Sequence, residues 1–446
     1  MIKKIMILFW GAAAVLNGAA LAEVTVEECI RAALDCNPRI RAAESEAGAS
    51  LESSKQAAVS RLPSLDFSGT YRHQSMTPEL MIDPIQLSPQ GPAIQPFGNG
   101  LRLGALDNTD FKVTVTQPLF SGFRLRNAEK GASHAAAAGK MAAEQVRQDL
   151  VFQVRAAYGN LLKAKSAVII ARNSHEQIGE HFKDVRAFFT QGLCRRDDLL
   201  RTEVKMDESE LWILQAENSV RLACSALENL TGMSVQDSVL AEPEADDFIP
   251  GDLESSIRKA LMQRPELAAL EWSRQAAEHG KKTSQGAYFP SVAVFGSLGY
   301  GRPGLDLIHD RWMDYWIVGA GAEWKLWDWG KRKSAVREAQ HRIDALEERQ
   351  EQIRDGIVLD VTQAVSRFGE ARKRLRMTAR MLERARETFR IVESSYRQGQ
   401  ASHAEYFDAH SDMIRSQLLL SQAEIDVFLE RSNWERAVGN PSMYIQ

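Results

Sequence analysis

The feature that most limits what this chain can fold into is that it is written twice. Glu28-Cys29-Ile30-Arg31-Ala32-Ala33-Leu34, followed by Asn37-Pro38, returns as Ser255-Ser256-Ile257-Arg258-Lys259-Ala260-Leu261, followed by Arg264-Pro265. At the same offset Leu62-Pro63-Ser64 returns as Phe289-Pro290-Ser291. Further on, Leu119-Phe120 pairs with Leu326-Trp327, Gln191-Gly192 with Gln398-Gly399 and Gly232 with Gly439, again at one constant offset. The two offsets differ because the first copy carries an insertion between Ser64 and Leu119. That insertion holds five prolines (Pro78, Pro84, Pro89, Pro92, Pro96) and reads as an exposed loop. A solenoid repeats every 20–50 residues or so. The unit here is several times longer, so the chain is a duplicated domain. The copies span 23–242 and 243–446.

Proline placement sets the helices. None lies between Pro118 and Pro243, or between Pro303 and Pro441. A proline inside a helix costs about 3 kcal/mol, so these gaps permit very long helices. The series Val146, Leu150, Val154, Tyr158, Leu161 has helical spacing, and Ile353, Ile357, Val361, Val365, Phe368 repeats it. A helix from Arg124 to about Phe189 is therefore expected, roughly 100 Å long. Gly192 and Gly399 then break the rods, return helices follow, and Gly232 and Gly439 cap them. The helical hairpins are expected over 124–232 and 331–439.

Ahead of each hairpin stand two period-2 segments, expected at about 62–74 and 109–121, and at about 289–301 and 314–328. Leu65, Phe67, Gly69 and Tyr71 share one face, and Phe111, Val113 and Val115 alternate with Lys112, Thr114 and Thr116. In the second copy Val292, Val294, Gly296, Leu298 and Tyr300 share a face, as do Trp316, Val318, Ala320, Ala322 and Trp324. Each segment is long enough to cross a hydrocarbon core when tilted. Trp312, Trp316, Trp324, Trp327 and Trp329 cluster at strand ends, where an aromatic girdle would sit.

The fold class is thus an α+β membrane protein with four transmembrane strands and very long helical hairpins. Lipid does not tolerate open sheet edges, and four strands cannot close a barrel, so several chains must pool theirs. Residues 1–22 support export. Lys3 and Lys4 precede a short apolar core, and Ala20-Leu21-Ala22 fits signal cleavage before Glu23. The expected address is the bacterial outer membrane, with a large periplasmic portion. A net charge of -4 gives nothing to attract nucleic acid, and four cysteines in 446 residues are too few for a disulfide scaffold.

At this point the motifs become specific. Gln117-Pro-Leu-Phe-Ser-Gly122 and Trp324-Lys-Leu-Trp-Asp-Trp-Gly330 stand at the strand-to-helix joints. Gln191 to Leu199 and Tyr396 to Asp408 form the hairpins, and Leu230-Thr-Gly232 closes the first copy. In these motifs the chain resembles the TolC-like outer-membrane efflux and secretion channel family over nearly all of residues 23–440. The resemblance implies a homotrimer whose 12-stranded barrel in outer-membrane lipid continues as a periplasmic helical barrel. It implies a passive conduit for a periplasmic adaptor protein and an inner-membrane transporter of RND or ABC type, with no cofactor.

The resemblance also names sites. Glu405 and Asp408, one helical turn apart, would line the pore entrance, where a carboxylate ring attracts cations. Tyr396, Asp197 and Asp198 match residues that latch neighbouring hairpins. Best-known members carry an arginine where this chain has Ala401; two alternatives stand here, a latch without a basic partner, or one in which Arg195 or Arg196 on the partner hairpin substitutes. On spacing alone these residues read as a solvated helix end; the resemblance assigns them to a pore.

Other signals weaken. Gly299-Tyr-Gly-Arg-Pro-Gly304 satisfies a dinucleotide fingerprint, but Pro303 and the lack of a following helix make it a strand-end turn. The nine histidines contain no H-E-x-x-H pair, and no nucleophile–base arrangement is visible, so neither metal binding nor an enzyme is expected. Cys29, Cys36, Cys194 and Cys224 are spaced for free thiols. Two alternatives stay open: the outer-membrane component of a type I protein secretion system, and, from another class, a periplasmic adaptor or structural coiled-coil protein of the envelope.

Overall fold

The computed structural model describes residues 23–80, 85–86, 93–94, 101–236, 238–242, 251–306 and 308–440. The export signal expected at 1–22 and four of the five insertion prolines lie outside the described residues.

The chain opens with α1 (Val26–Cys36) and α2 (Pro38–Val59), then enters β1 (Ser64–His73). Four short strands follow: β2 (Glu79–Leu80), β3 (Ile85–Gln86), β4 (Ala93–Ile94) and β5 (Leu101–Arg102). Then come β6 (Asp107–Phe120), α3 (Arg124–Thr190) and α4 (Arg196–Thr231). The second copy repeats the order as α5 (Leu253–Gln263), α6 (Pro265–Gly286), β7 (Ser291–Arg302), β8 (Met313–Glu323), α7 (Lys331–Arg397) and α8 (His403–Val438). The two long helices of the copies match in length at 67 residues each, as do the return helices at 36.

Local chemistry explains the boundaries. Thr25 and Glu28 form a reciprocal capping box on α1, and Asp252 accepts from the Ser255 N–H to start α5. Pro38 and Pro265 occupy first helical positions, where a missing N–H costs nothing. Gly192, Gly232, Gly399 and Gly439 all have positive φ. At Gly192 and Gly399 the turn is the same motif. The glycine N–H reaches back three residues, to Phe189 or Tyr396, and the next N–H reaches five, to Phe188 or Ser395.

Two expectations need correction. The strand expected at 314–328 ends at Glu323, because residues 324–330 turn into α7 through two left-handed residues, Trp329 (φ 54°) and Gly330 (φ 84°). The insertion expected as loop carries two small antiparallel ladders, β2 with β5 and β3 with β4.

The long strands form one antiparallel sheet in the order β1-β6-β7-β8. Its register assigns every residue to a face. Phe67 stands opposite Val113, Val113 opposite Leu298, and Leu298 opposite Trp316. One row lower, Leu65, Val115, Gly296 and Val318 align. The other face carries Ser68, Lys112, Gly299 and Tyr315 in one row and Asp66, Thr114, Ser297 and Ile317 in the next. One side is thus apolar across all four strands and the other is largely polar. β1 and β8 are the sheet's two edges.

The chain divides into two compact units, and each draws on both copies. One comprises 44–142 and 266–353 and contains the sheet. The other comprises 1–43, 143–265 and 354–446. In this second unit α3 and α8 are central. Gly159 of α3 admits Leu429 and Ile425, Arg155 pairs with Glu435, and Lys163 pairs with Asp426. α4 packs on α3 through the His175–Ser209 hydrogen bond (2.7 Å), and α7 packs on α8 through Phe389 and Tyr406 (5.5 Å between rings). One core gathers Ile30, Leu150, Val154, Tyr158, Leu161 and Leu227. The buried Tyr158 hydroxyl lies 2.8 Å from the carbonyl of Val24 and 2.7 Å from that of Ala241, tying the start of the described chain to the segment after α4.

Candidate functional site

Two regions carry candidate chemistry: the hairpin ends and the sheet. At the first hairpin, Asp198 accepts from the backbone N–H of Arg195 (3.3 Å), capping α4. Asp197 takes the Arg195 guanidinium at 3.0 Å, both side chains being exposed. These two carboxylates therefore meet a partner within their own hairpin. Arg196 is exposed.

At the second hairpin, Ser402 and Glu405 form a full capping box on α8. The Glu405 carboxylate accepts from the Ser402 N–H (2.7 Å) and hydroxyl (2.8 Å). These bonds hold its carboxyl below the usual glutamate range. Glu405 is thus both an exposed negative charge and the residue that starts the helix. Asp408, one turn on, is exposed.

Tyr396 is half-buried, and its surroundings are the main feature that spacing failed to reveal. His181 of α3 lies against Tyr396 (ring centroids 5.0 Å apart), stacks on Tyr406 (4.0 Å, 12°) and meets the edge of Phe407. Its Nε2 is 3.4 Å from Nδ1 of His403, whose Nε2 in turn meets the Thr202 hydroxyl at 3.2 Å. His410 lies against Phe389 and bonds Gln177 (2.9 Å). His181 and His410 are almost fully buried, at 5% and 3% exposure. Burial, with His403 and His410 nearby, lowers the His181 pKa to about 3, and burial lowers that of His410 to about 4. Burial also depresses His403 and raises Tyr396. The sequence did contain a signal: His403, Tyr406 and His410 recur at i, i+3 and i+7, on one helix face.

The sheet supplies the second region. Leu65, Phe67, Leu298, Trp316 and Val318 are 68–73% exposed, all on the apolar face. Burying five such side chains is worth on the order of 10 kcal/mol. That equals the whole net stability of a typical domain, so leaving them in water is not a neutral choice. On the polar face Thr114 and Ser297 share a hydrogen bond (3.0 Å), and Tyr315 lies over Gly299, where a Cβ would meet its ring at 2.2 Å.

The five tryptophans separate into two groups along the chain. Trp312 and Trp316 stand at the start of β8, with Trp312 stacked on Tyr300 (5.0 Å). Trp324, Trp327 and Trp329 follow its end and are 58%, 72% and 90% exposed. The eight-residue step from Trp316 to Trp324, just past the end of β8, covers about 27 Å along the chain, or roughly 20 Å along the membrane normal at the usual strand tilt, within an apolar band of about 25 Å.

Comparison with known proteins fits this geometry. BepC, an outer membrane efflux protein of Brucella suis, is 22% identical over 333 residues, covering 73% of this chain and 72% of that protein. AprF, an alkaline protease secretion protein of Pseudomonas aeruginosa, is 24% identical over 237 residues; the match covers 52% of this chain and 49% of that protein, so the chain spans about half its length. Among solved structures, the outer-membrane channel OprN superposes with a TM-score of 0.76 at 19% identity, over 94% of this chain and 90% of that one. The open state of the Neisseria gonorrhoeae MtrE channel superposes at 0.74 and 19% identity, over 93% and 88%. The fold is that of TolC-like channels. The family model for outer membrane efflux proteins matches residues 29–233 and 256–440, one stretch in each copy, and the chain belongs to that family.

Proposed function

We propose that three copies of this chain form a passive outer-membrane conduit that carries cargo from a periplasmic adaptor and an inner-membrane transporter of RND or ABC type to the cell exterior. The observation that carries this reading is the sheet. It has one face too apolar for water, one face polar enough to line a lumen, and two open edges, β1 and β8. Lipid excludes open edges, so the sheet must close on copies of itself. Three copies give twelve strands, with Lys112, Thr114 and Ser297 facing the channel. Trp312 and Trp316 form one aromatic belt and Trp324, Trp327 and Trp329 the other. The helices line the periplasmic part, and the chain itself performs no chemistry. Asp408 and Glu405 present carboxylates at the entrance, and Tyr396 braces the hairpin ends.

The test is extraction of outer membranes, followed by gel electrophoresis with and without heating and by planar-bilayer conductance. The reading requires a heat-modifiable trimer that conducts. A water-soluble monomer absent from those membranes overturns it. A second reading, the outer-membrane component of type I protein secretion, is favoured by the secretion role named for AprF and by the Arg195-Arg196-Asp197 hairpin. Crosslinking in cells separates the two by the transporter recovered.

A further inference from the structure

The four long strands end together on the side of the sheet that meets the long helices. β1 begins at Ser64 opposite Thr116 of β6, and β7 begins at Ser291 opposite Glu323, the last residue of β8. Leu62, Leu119, Phe123, Phe289 and Leu326 are exposed there, beside Trp324, Trp327 and Trp329. Contacts knit the neighbouring helix ends together. Phe123 meets Phe289 edge to face (6.5 Å), the Trp324 indole N–H donates to the Tyr288 carbonyl (3.0 Å), and the Arg332 guanidinium lies over the Tyr288 ring (5.0 Å). The start of α3, the end of α6 and the start of α7 therefore converge at one level.

Just beyond the aromatic residues the helices expose positive charge. α3 opens with Arg124, Arg126 and Lys130. α7 opens with Lys331, Lys333 and Arg337, and Lys282 stands four residues before the end of α6. All are exposed, and none takes an ion pair among the described residues. The acids nearby are already engaged: Glu129 with Arg61 (2.7 Å), Asp328 with Arg332 (2.7 Å) and Glu338 with Arg342 (2.6 Å). Glu323 is exposed and opposes them. Burial lowers the His279 pKa, and Lys282, His134 and Lys130 lower it further, so the cations of α3 and α6 gather on one patch. The other end of the sheet is built differently. There Asp310 holds Arg302 (2.8 Å), Asp306 takes His309 (3.0 Å) and Arg311 (3.5 Å), and Asp107 takes His73 (2.8 Å). A need for solubility alone gives no reason for the two ends to differ.

Depth favours one kind of partner. At 1.5 Å per residue these cations lie within about 10 Å of their helix ends. A headgroup layer is roughly 5–8 Å thick, and long basic side chains reach into it. Exposed positions between the cations are small: Ala128, Ser133 and Ser334. A protein partner would want large apolar anchors there. From sheet to helix the surface runs apolar, then tryptophan, then cation, which is the order of lipid chain, interface and phosphate.

We propose that this basic collar, immediately periplasmic of the tryptophan belt, binds the phosphate groups of anionic phospholipids in the periplasmic leaflet and so selects the lipid that surrounds the barrel. The inference rests on the conduit reading, which sets the belt at the membrane, and adds the lipid chemistry that the belt's inner edge recognises.

The test reconstitutes the full-length trimer in vesicles of phosphatidylglycerol and phosphatidylcholine in equal amounts. The protein is re-extracted in mild detergent, native mass spectrometry confirms the trimer, and the co-purifying lipid is quantified. Wild type should retain phosphatidylglycerol over phosphatidylcholine by about fivefold at low salt and lose the preference at about 1 M salt. Lys130→Gln, Lys282→Gln, Lys331→Gln and Lys333→Gln together should bring the ratio to within about twofold of parity, and arginine at the same four positions should keep it. Lys373→Gln with Arg376→Gln, Arg380→Gln and Arg384→Gln removes as much charge more than about 60 Å along α7 from its start, and should leave the ratio unchanged. Soluble glycerol phosphate in excess should leave it unchanged too. A trimer that retains the two lipids as offered overturns the collar and leaves the conduit reading standing. A preference that survives the four collar changes, falls equally in the α7 set or yields to glycerol phosphate also overturns it. So does an acidic protein that co-purifies from native membranes through the same four residues. A chain that forms no trimer removes both readings.

Discussion

Acidification should loosen the hairpin ends, and the buried histidines set how much. His181 and His410 are neutral in the folded protein, with pKa values of about 3 and about 4, against about 6.5 in an unfolded chain. A histidine whose folded pKa is depressed leaves stability untouched above the unfolded value. Below it, the unfolded state gains protons that the folded state refuses, so stability falls as pH drops from about 6.5 towards about 4. At pH 7.5 the penalty is close to zero. At pH 5 each site contributes about 2 kcal/mol, or on the order of 4 kcal/mol together if they act independently. The groups facing the pair are Tyr396 and Phe389 from α7, His403, Tyr406 and Phe407 from α8, and Gln177 from α3. Glu405, held below the usual glutamate range, stays charged at pH 5 and keeps its cap.

The perturbation is His181→Phe with His410→Phe, which keeps an aromatic ring at each position and removes the titration. Hydrogen exchange in segments 175–190 and 403–414 reads the local opening free energy. Wild type should lose several kcal/mol of protection between pH 7.5 and pH 5, and the double variant should lose less than about 1 kcal/mol. Equal losses in the two proteins would refute the assignment.

Four other outcomes follow from particular contacts. Val318→Arg, on the apolar face, should cost about 2–4 kcal/mol of membrane stability, whereas Ile317→Arg, next to it on the polar face, should be nearly silent; urea titration in lipid vesicles measures both. Gly122→Ala combines a left-handed φ of 61° with a Cβ 2.2 Å from the Gly286 carbonyl and should cost roughly 3 kcal/mol or more, against about 1–2 kcal/mol for Gly330→Ala, where nothing lies within 4 Å. Thermal melting of the trimer separates the two. Tyr158→Phe should cost about 1–2 kcal/mol by removing the hydroxyl that donates between the Val24 and Ala241 carbonyls, the Val24 carbonyl still accepting from the Ala241 N–H (3.1 Å), read in the same melts. Asp408→Asn should weaken multivalent-cation block of single-channel current at least fivefold; Glu405→Gln should add to it, while Glu405→Ala should also fray α8 at a cost of about 1 kcal/mol.

What was legible in the sequence follows from how physical information is stored there. The long helices were readable because a proline inside them is so costly that its absence over a long stretch is itself a signal. The sheet was readable because a two-residue period with one apolar face survives in each strand separately. The histidine cluster was not, because His181 comes from α3 and the rest from α8, and no spacing rule links residues that meet only through packing. Its α8 half did obey the helical period, but a lone histidine face reads as surface until a partner is found. The capping role of Glu405 is local, and the Ser402-to-Glu405 spacing of a capping box encodes it directly.

The duplication sharpens this division between what backbone geometry requires and what side chains are free to do. At the strand-to-helix joint both copies need two consecutive left-handed residues, and each meets the need with one glycine. The first copy places it first, as Gly122-Phe123, and the second places it last, as Trp329-Gly330. The exchange is possible because the surroundings differ: a side chain at position 122 would strike Gly286, while Trp329 is 90% exposed. The hairpin ends show the same rule. Gly192 and Gly399 keep one turn geometry, yet beyond it one copy places Arg195-Arg196-Asp197-Asp198 and the other Ser402-His403-Ala404-Glu405. Backbone geometry is retained where the chain has to turn, and side-chain chemistry diverges in the residues just beyond, so one turn carries a charged Arg–Arg–Asp–Asp start in the first copy and a Ser–His–Ala–Glu start in the second.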